Sequence, residues 1–265
     1  MISFKDRLAW VTGASSGIGL SITRQLAQEG AKLIISGRRV DELNQLKSEC
    51  LKYTAFCEIV PFDLSVPGEV LNAARTVLEK YGPVYLLVNN GGVSQRSKVY
   101  ETPVEIDRKI MEIDFFSYVT LTKALLPSMM ERKEGYIAVT SSISGKFGFH
   151  QRSAYASAKH ALQGFFETLR IELQPFNISV TIAYPGYIKT NISINALEKN
   201  GKAHGVMDPG QDKGVSPDLC ARKFISAIKK RRAEVLIGGF ELVMVHLKRL
   251  FPRLFFALVG RVKPT

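Results

Sequence analysis

Cysteine is scarce in this chain: three in 265 residues, at Cys50, Cys57 and Cys220. Three widely spaced thiols do not make a disulfide scaffold or a zinc module, so a reducing compartment, the cytoplasm, is the simplest expectation. His150, His204 and His246 are scattered and show no ligand spacing, so no metal is expected. No apolar run reaches the ~18 residues of a membrane-spanning helix. The N-terminus carries Lys5, Asp6 and Arg7 where a secretory signal would place an apolar core. Collagen-like and heptad repeats are missing, which excludes collagen-like and coiled-coil architectures. Carboxylates are also short, 24 against 36 Lys and Arg, for a net charge of +12. The surplus sits at one end. From Arg222 to Thr265 eleven basic residues face only Glu234 and Glu241, which accounts for nine of the twelve charges. No helix-turn-helix, zinc or RNP pattern accompanies that segment, so nucleic acid is not an expected partner.

What remains is an ordinary globular composition, 46% hydrophobic and 23% charged, patterned with a strict rhythm. Short apolar runs at Leu8–Thr12, Lys32–Ser36, Phe56–Pro61, Val84–Asn89, Tyr136–Ser141, Ile178–Tyr184 and Glu234–Ile237 read as strands. They lack polar alternation, so both faces are buried, as in a parallel sheet covered by helices. Helical patterns fall between them, at Gly17–Glu29, Val40–Leu51, Glu69–Lys80, Pro103–Met130, Ala154–Leu173 and Pro217–Arg231. The fold class expected is α/β: a single-domain Rossmann fold, a doubly wound parallel sheet of about seven strands with helices on both faces. One long irregular stretch, Asn191–Ser216, holds four glycines and reads as a lid or insert over a site.

Between the first strand and the first helix runs Thr12-Gly13-Ala14-Ser15-Ser16-Gly17-Ile18-Gly19. Glycines there permit a tight turn and a close backbone approach to a diphosphate, and the helix N-terminus offers free N–H groups to it. The second strand ends in Ser36-Gly37-Arg38-Arg39. An acidic residue at that point would suit the ribose hydroxyls of NAD(H). Arginine suits a 2′-phosphate, so the expected cofactor is NADP(H).

Tyr155 and Lys159 are four residues apart on a helical segment and share one face, and Ser142 follows the fifth strand. In a doubly wound sheet that is the ligand-binding end. A phenol beside an ammonium is a workable acid/base unit, because the cation favours the phenolate, and a serine hydroxyl can hold a substrate oxygen.

With these motifs the chain resembles the short-chain dehydrogenase/reductase family, most closely its dehydrogenase/reductase member 7 subgroup. The resemblance runs over Phe4–Ile237 through TGASSGIG (12–19), Asp63-Leu64, NNGG (89–92), Ser142, YASAK (155–159) and PGYIKT (185–190). It implies Tyr155 as general acid/base, Lys159 on the nicotinamide ribose, Ser142 on the carbonyl or alcohol and Asp63 at the adenine. Asn89 would steady the central sheet, and Pro185, Gly186 and Thr190 would border the nicotinamide. The full cofactor-binding set is Gly13, Ser15, Ser16, Gly17, Ile18, Gly19, Arg38, Arg39, Asp63, Leu64, Asn90, Gly91, Tyr155, Lys159, Pro185, Gly186, Ile188 and Thr190. Two positions depart from the family. Gly91 replaces an alanine and is expected to cost only stiffness. Asp114 replaces an asparagine that holds a water in the proton relay, and its charge would stabilise the Lys159 ammonium and oppose the tyrosinate.

The resemblance thus implies an NADP(H)-dependent oxidoreductase acting on a small carbonyl/alcohol pair. A rival reading is an NADP(H)-binding redox sensor or scaffold without turnover. Residues 1–239 would form the catalytic domain, with 191–216 as its substrate loop and 240–265 as a basic, hydrophobic extension. The family assembles as dimers or tetramers, making Phe115–Met130 and Ala161–Leu173 the candidate homo-oligomer surfaces. Phe240–Gly260 is rich in Phe, Leu and Val yet holds Lys248, Arg249 and Arg253, with Pro252 interrupting a helix. It could pack on the core or a sister subunit, lie on a membrane surface as an interfacial helix, or flap over the site. The latter two readings suit a lipophilic substrate.

Overall fold

Seven parallel strands build one sheet in the order β3-β2-β1-β4-β5-β6-β7. The structure, a computed structural model, describes residues 2–260; Arg261 and Lys263 of the basic segment lie outside them. The strands are β1 (Leu8–Thr12), β2 (Lys32–Ser36), β3 (Cys57–Ile59), β4 (Leu86–Asn89), β5 (Gly135–Thr140), β6 (Ile178–Pro185) and β7 (Glu234–Ile237). The helices of the first half are α1 (Gly17–Gln28), α2 (Val40–Cys50) and α3 (Pro67–Tyr81). Those of the second half are α4 (Val104–Met111), α5 (Ser117–Arg132), α6 (Ser153–Glu172), α7 (Pro209–Asp212), α8 (Pro217–Lys229), α9 (Val243–Leu250) and α10 (Pro252–Val259).

The apolar runs were two-sided because the sheet has two covered faces. Along β1, Ala9 and Val11 pack with α1, α2 and α8 through Ile22, Leu26, Leu43 and Phe224. Leu8 and Trp10 point the other way, onto α3, α5 and α6 through Val70, Leu121 and Phe166. The one polar atom of Trp10 is satisfied, its indole N–H donating to Ser36 Oγ at 2.8 Å.

Two elements differ from the pattern read in the sequence. The edge strand β3 keeps only three residues, Cys57–Ile59. The helix expected over 103–130 is two helices joined by a π-helical turn, Glu112–Phe116. An apolar stripe continues through such a turn, so periodicity does not reveal it. Pro127 is accommodated inside α5, which runs on to Arg132.

After β3 the chain crosses the sheet and lays β4 on the other side of β1. The strand order reverses there, leaving a crevice at the carboxyl ends of β1 and β4, the place where such sheets bind ligands.

Candidate active site

A cleft of about 750 Å³ opens at this reversal. Its one end is the turn between β1 and α1. Gly13 has φ +63°, and a Cβ there would lie 2.5 Å from Gly91 Cα; backbone meets backbone where β1 and β4 diverge. Gly91 is itself packed. An alanine would put its Cβ 2.7 Å from Leu64 Cδ1, so the glycine matters for space and not only for stiffness. No side chain caps the N-terminus of α1 and no acidic residue stands in its first turn. Its N–H groups and positive dipole end are therefore left for an anion. Arg38 and Arg39 lie on the same side of the cleft. Arg39 donates to Ser15 Oγ at 3.1 Å, and Arg38 stands 3.6 Å from Asp63. Partial burial opposes the Asp63 charge, but the Ser65 N–H and Arg38 hold its carboxyl below the usual range. Shape and donors fit a dinucleotide diphosphate.

Asn89 and Asn90 brace the sheet. The Asn89 amide donates to Thr122 Oγ1 at 3.1 Å. Asn90 donates its side-chain amide to the Thr12 carbonyl at 3.1 Å and accepts from Thr140 Oγ1 at 3.2 Å, tying β1, β4 and β5 together. Gly19 and Asp114 do not line the cleft; the other candidate residues do, from Ser15, Ser16, Gly17 and Ile18 to Pro185, Gly186, Ile188 and Thr190.

At the other end stand Ser142, Tyr155 and Lys159. Ser142 follows β5 and starts a 3-10 turn, its Oγ accepting the Ser144 N–H at 3.1 Å. The hydroxyl proton is thereby left to donate into the cleft. Tyr155 and Lys159 sit one turn apart on α6, both buried. The ammonium lies 5.6 Å from the Tyr155 ring centroid and donates to the Thr140 carbonyl at 3.2 Å.

Behind Lys159, the π turn aims Asp114 inward. It is fully buried, accepts the Val93 N–H at 2.8 Å and lies 3.2 Å from Lys159 Nζ. Burial pushes the Asp114 carboxyl up, against the pull of Lys159 and the Val93 N–H. Burial likewise works against the Lys159 ammonium, but Asp114, Tyr118 and Tyr155 outweigh it and hold the lysine above its ordinary value. Asp114 and Lys159 thus form a buried ion pair behind Tyr155.

Four residues that the sequence reading did not single out complete the site. Gln95 Oε1 accepts the N–H of Ala154 at 2.8 Å and of Tyr155 at 3.5 Å, capping α6 from outside. Arg96 and Arg152, both buried, share one buried carboxylate, Asp208. Arg96 is bidentate on it, with Nε at 3.3 Å, and Arg152 Nη2 donates to it at 2.8 Å. Asp208 comes from the irregular stretch 191–216, which folds over the cleft. Leu197 bridges to both Gln95 and Ala203, and Ile188 bridges to Val215. The partners are 56 and 112 residues apart, so no local pattern could reveal them; the only hint was two arginines beside recognised motifs.

A model of the short chain dehydrogenase family matches residues 7–201. The chain belongs to the short-chain dehydrogenase family. A mouse relative, "Dehydrogenase/reductase SDR family member 7B", is 42% identical over 97% of this chain and 81% of its own length. A Drosophila melanogaster relative, "Dehydrogenase/reductase SDR family protein 7-like", is 36% identical over 96% of this chain and 80% of its own. Among solved structures, an alcohol dehydrogenase from Thermococcus sibiricus complexed with 5-hydroxy-NADP is 26% identical with a TM-score of 0.75, covering 88% of this chain and 97% of that one. A short chain dehydrogenase/reductase from Burkholderia phymatum in complex with NAD has a TM-score of 0.86 over 100% of this chain and 99% of that one. At 22% identity it speaks for the fold alone. Family membership makes the chain an oxidoreductase of nucleotide-binding Rossmann architecture.

Proposed function

We propose that this short-chain dehydrogenase uses NADP(H) to interconvert a carbonyl and an alcohol on a lipophilic small molecule. The observation that carries the reading is the convergence of Ser142, Tyr155 and Lys159 on the cleft that also holds the glycine turn. A bound nicotinamide supplies the hydride chemistry. Ser142 donates its hydroxyl to the substrate oxygen, and Tyr155 exchanges a proton with that oxygen. Lys159 binds the ribose and favours the tyrosinate, while Asp114 sets how strongly. Arg38 and Arg39 support a 2′-phosphate, since planar guanidinium forks match it. The complex of the Thermococcus sibiricus relative with an NADP derivative agrees with that class. Phe147, Phe149, Ile192 and Leu197 line the remaining cleft wall, which supports an apolar substrate. Exposed Phe116 on the π turn and Ile171 on α6 support a homodimer or homotetramer through these helices.

The test is NADPH oxidation against steroid, retinal, quinone and short-chain carbonyls. Tyr155→Phe should lower turnover by about 10²–10⁴-fold while NADPH still binds. Tight NADPH binding with no turnover on any carbonyl would favour the sensor reading instead.

A further inference from the structure

The C-terminal helices α9 and α10 have two faces with different fates. The inner face is anchored at the cleft rim. Phe255 is fully buried against Phe147, ring centroids 5.2 Å apart. Lys248 Nζ donates to the Lys146 carbonyl at 3.0 Å. Glu241 accepts the N–H groups of Tyr187 at 2.9 Å and Gly239 at 3.0 Å. Met244 and Val259 line the cleft itself. Among the described residues nothing covers the outer face: Leu250, Phe251, Leu254 and Phe256 are 50–67% exposed. Solvated single leucines are common on proteins, but four large apolar side chains within seven residues form a patch that calls for a partner.

The charges say which partner. Arg249 and Arg253 are exposed among these apolar residues. The sole carboxylate of residues 240–260 is Glu241, already engaged inward by two backbone N–H groups. The outer face is therefore apolar and cationic with no anion of its own. A second copy laid on it would set arginine against arginine, in a chain that already carries +12. A bilayer with anionic headgroups meets both demands at once: phosphates for the guanidiniums and acyl chains for the phenyl and leucyl groups. Each helix has eight residues, about 12 Å of rise, enough to lie in an interface and too short to cross one. Among the described residues no helix is long and apolar enough to cross a membrane.

We propose that the outer face of α9 and α10 is a peripheral docking surface for anionic lipid bilayers, which holds the cleft mouth against the membrane. Docking stands on this surface alone; delivery of a lipophilic substrate from the bilayer rests on the function proposed above.

The full chain should float with phosphatidylcholine vesicles containing phosphatidylglycerol, release at high salt, and stay behind with phosphatidylcholine alone. Arg249→Gln with Arg253→Gln should weaken partitioning about thirtyfold. Phe251→Ser with Phe256→Ser should abolish flotation. Both variants should keep the wild-type thermal midpoint and NADPH affinity, because the changed side chains are solvated. Three results would overturn the proposal: no flotation of the wild type, equal flotation with neutral and anionic vesicles, or a dimer in solution that the same substitutions dissociate. NADPH turnover is measured apart from vesicles, so its failure would leave the docking result standing, and the reverse.

Discussion

Asp208→Ala is the sharpest test of how the irregular stretch 191–216 is held. The wild-type carboxylate, 2% exposed, neutralises one of two buried guanidiniums, Arg96 and Arg152. The cluster already carries a net +1, and burial together with the neighbouring Arg96 lowers the Arg152 pKa. Removing the carboxylate leaves two adjacent cations without a counter-ion in a low-dielectric wall. Breaking a buried pair from one side costs about 3–5 kcal/mol. For a chain of this size that lowers the midpoint of thermal unfolding by roughly 6–20 °C. Relief should come from the partners. Adding Arg96→Met to Asp208→Ala removes one orphaned cation and should recover part of the loss, whereas Arg96→Met alone should destabilise. Asp208 also donates its backbone N–H to Ser193 at 3.2 Å, and the same stretch pairs with Gln95 through Leu197. Loosening it should raise KM for the carbonyl substrate more than it lowers kcat. NADPH affinity should hold, since the glycine turn lies at the other end of the cleft. The measurements are thermal unfolding followed by circular dichroism and steady-state kinetics of the four-member cycle. A midpoint within about 3 °C of wild type would mean that water reaches the guanidiniums, and the account of a desolvated cluster would be wrong.

Asp114→Asn removes a buried negative charge 3.2 Å from Lys159. The uncancelled ammonium then favours the tyrosinate, so the acid limb of the alcohol-oxidation pH profile should move to lower pH by about one unit; an unmoved limb refutes the coupling. Arg38→Ala deletes a charge-assisted contact and should weaken NADPH roughly 10–100-fold while leaving NADH almost unaffected, read by fluorescence titration. Equal losses would show that Arg38 is only a solvated partner of Asp63. Gln95→Ala uncaps α6 one turn before Lys159 and should reduce kcat severalfold with a smaller loss of stability, about 1 kcal/mol; Gln95→Glu, which keeps the acceptor, should restore much of the rate.

The legible parts of this molecule are those whose causes are local. Each buried strand is a short apolar run, and the turn 12–19 is a string of residues whose backbone needs are visible in their names. Tyr155 and Lys159 meet because a helix brings positions four apart onto one face. Ser142 is placed by the end of β5. Three things escaped. The π turn at 112–116 changes the aim of Asp114 without changing the apolar stripe around it. The end of β3 depends on what lies beyond a sheet edge. The Gln95 cap and the Arg96–Asp208–Arg152 cluster join segments far apart in the chain, and a polar residue in sequence does not reveal whether it will be buried. Gly91 was visible as a departure, but its contact with Leu64 arises only once the segment after β3 packs against the end of β4.

The reversal of strand order has a kinetic consequence. Every neighbouring pair in this sheet is parallel, so none can form as a hairpin, and each waits for a crossover to close. β1 gains its second neighbour only when residues 86–88 arrive beside residues 9–11. The glycine turn is made by the first half of the chain and the Ser142–Tyr155–Lys159 wall by the second. The cleft is therefore complete only when both halves have met, and such non-local closure is slow. A dinucleotide added during refolding would bind almost only finished molecules, drawing the population toward the native state without hastening the early pairing steps.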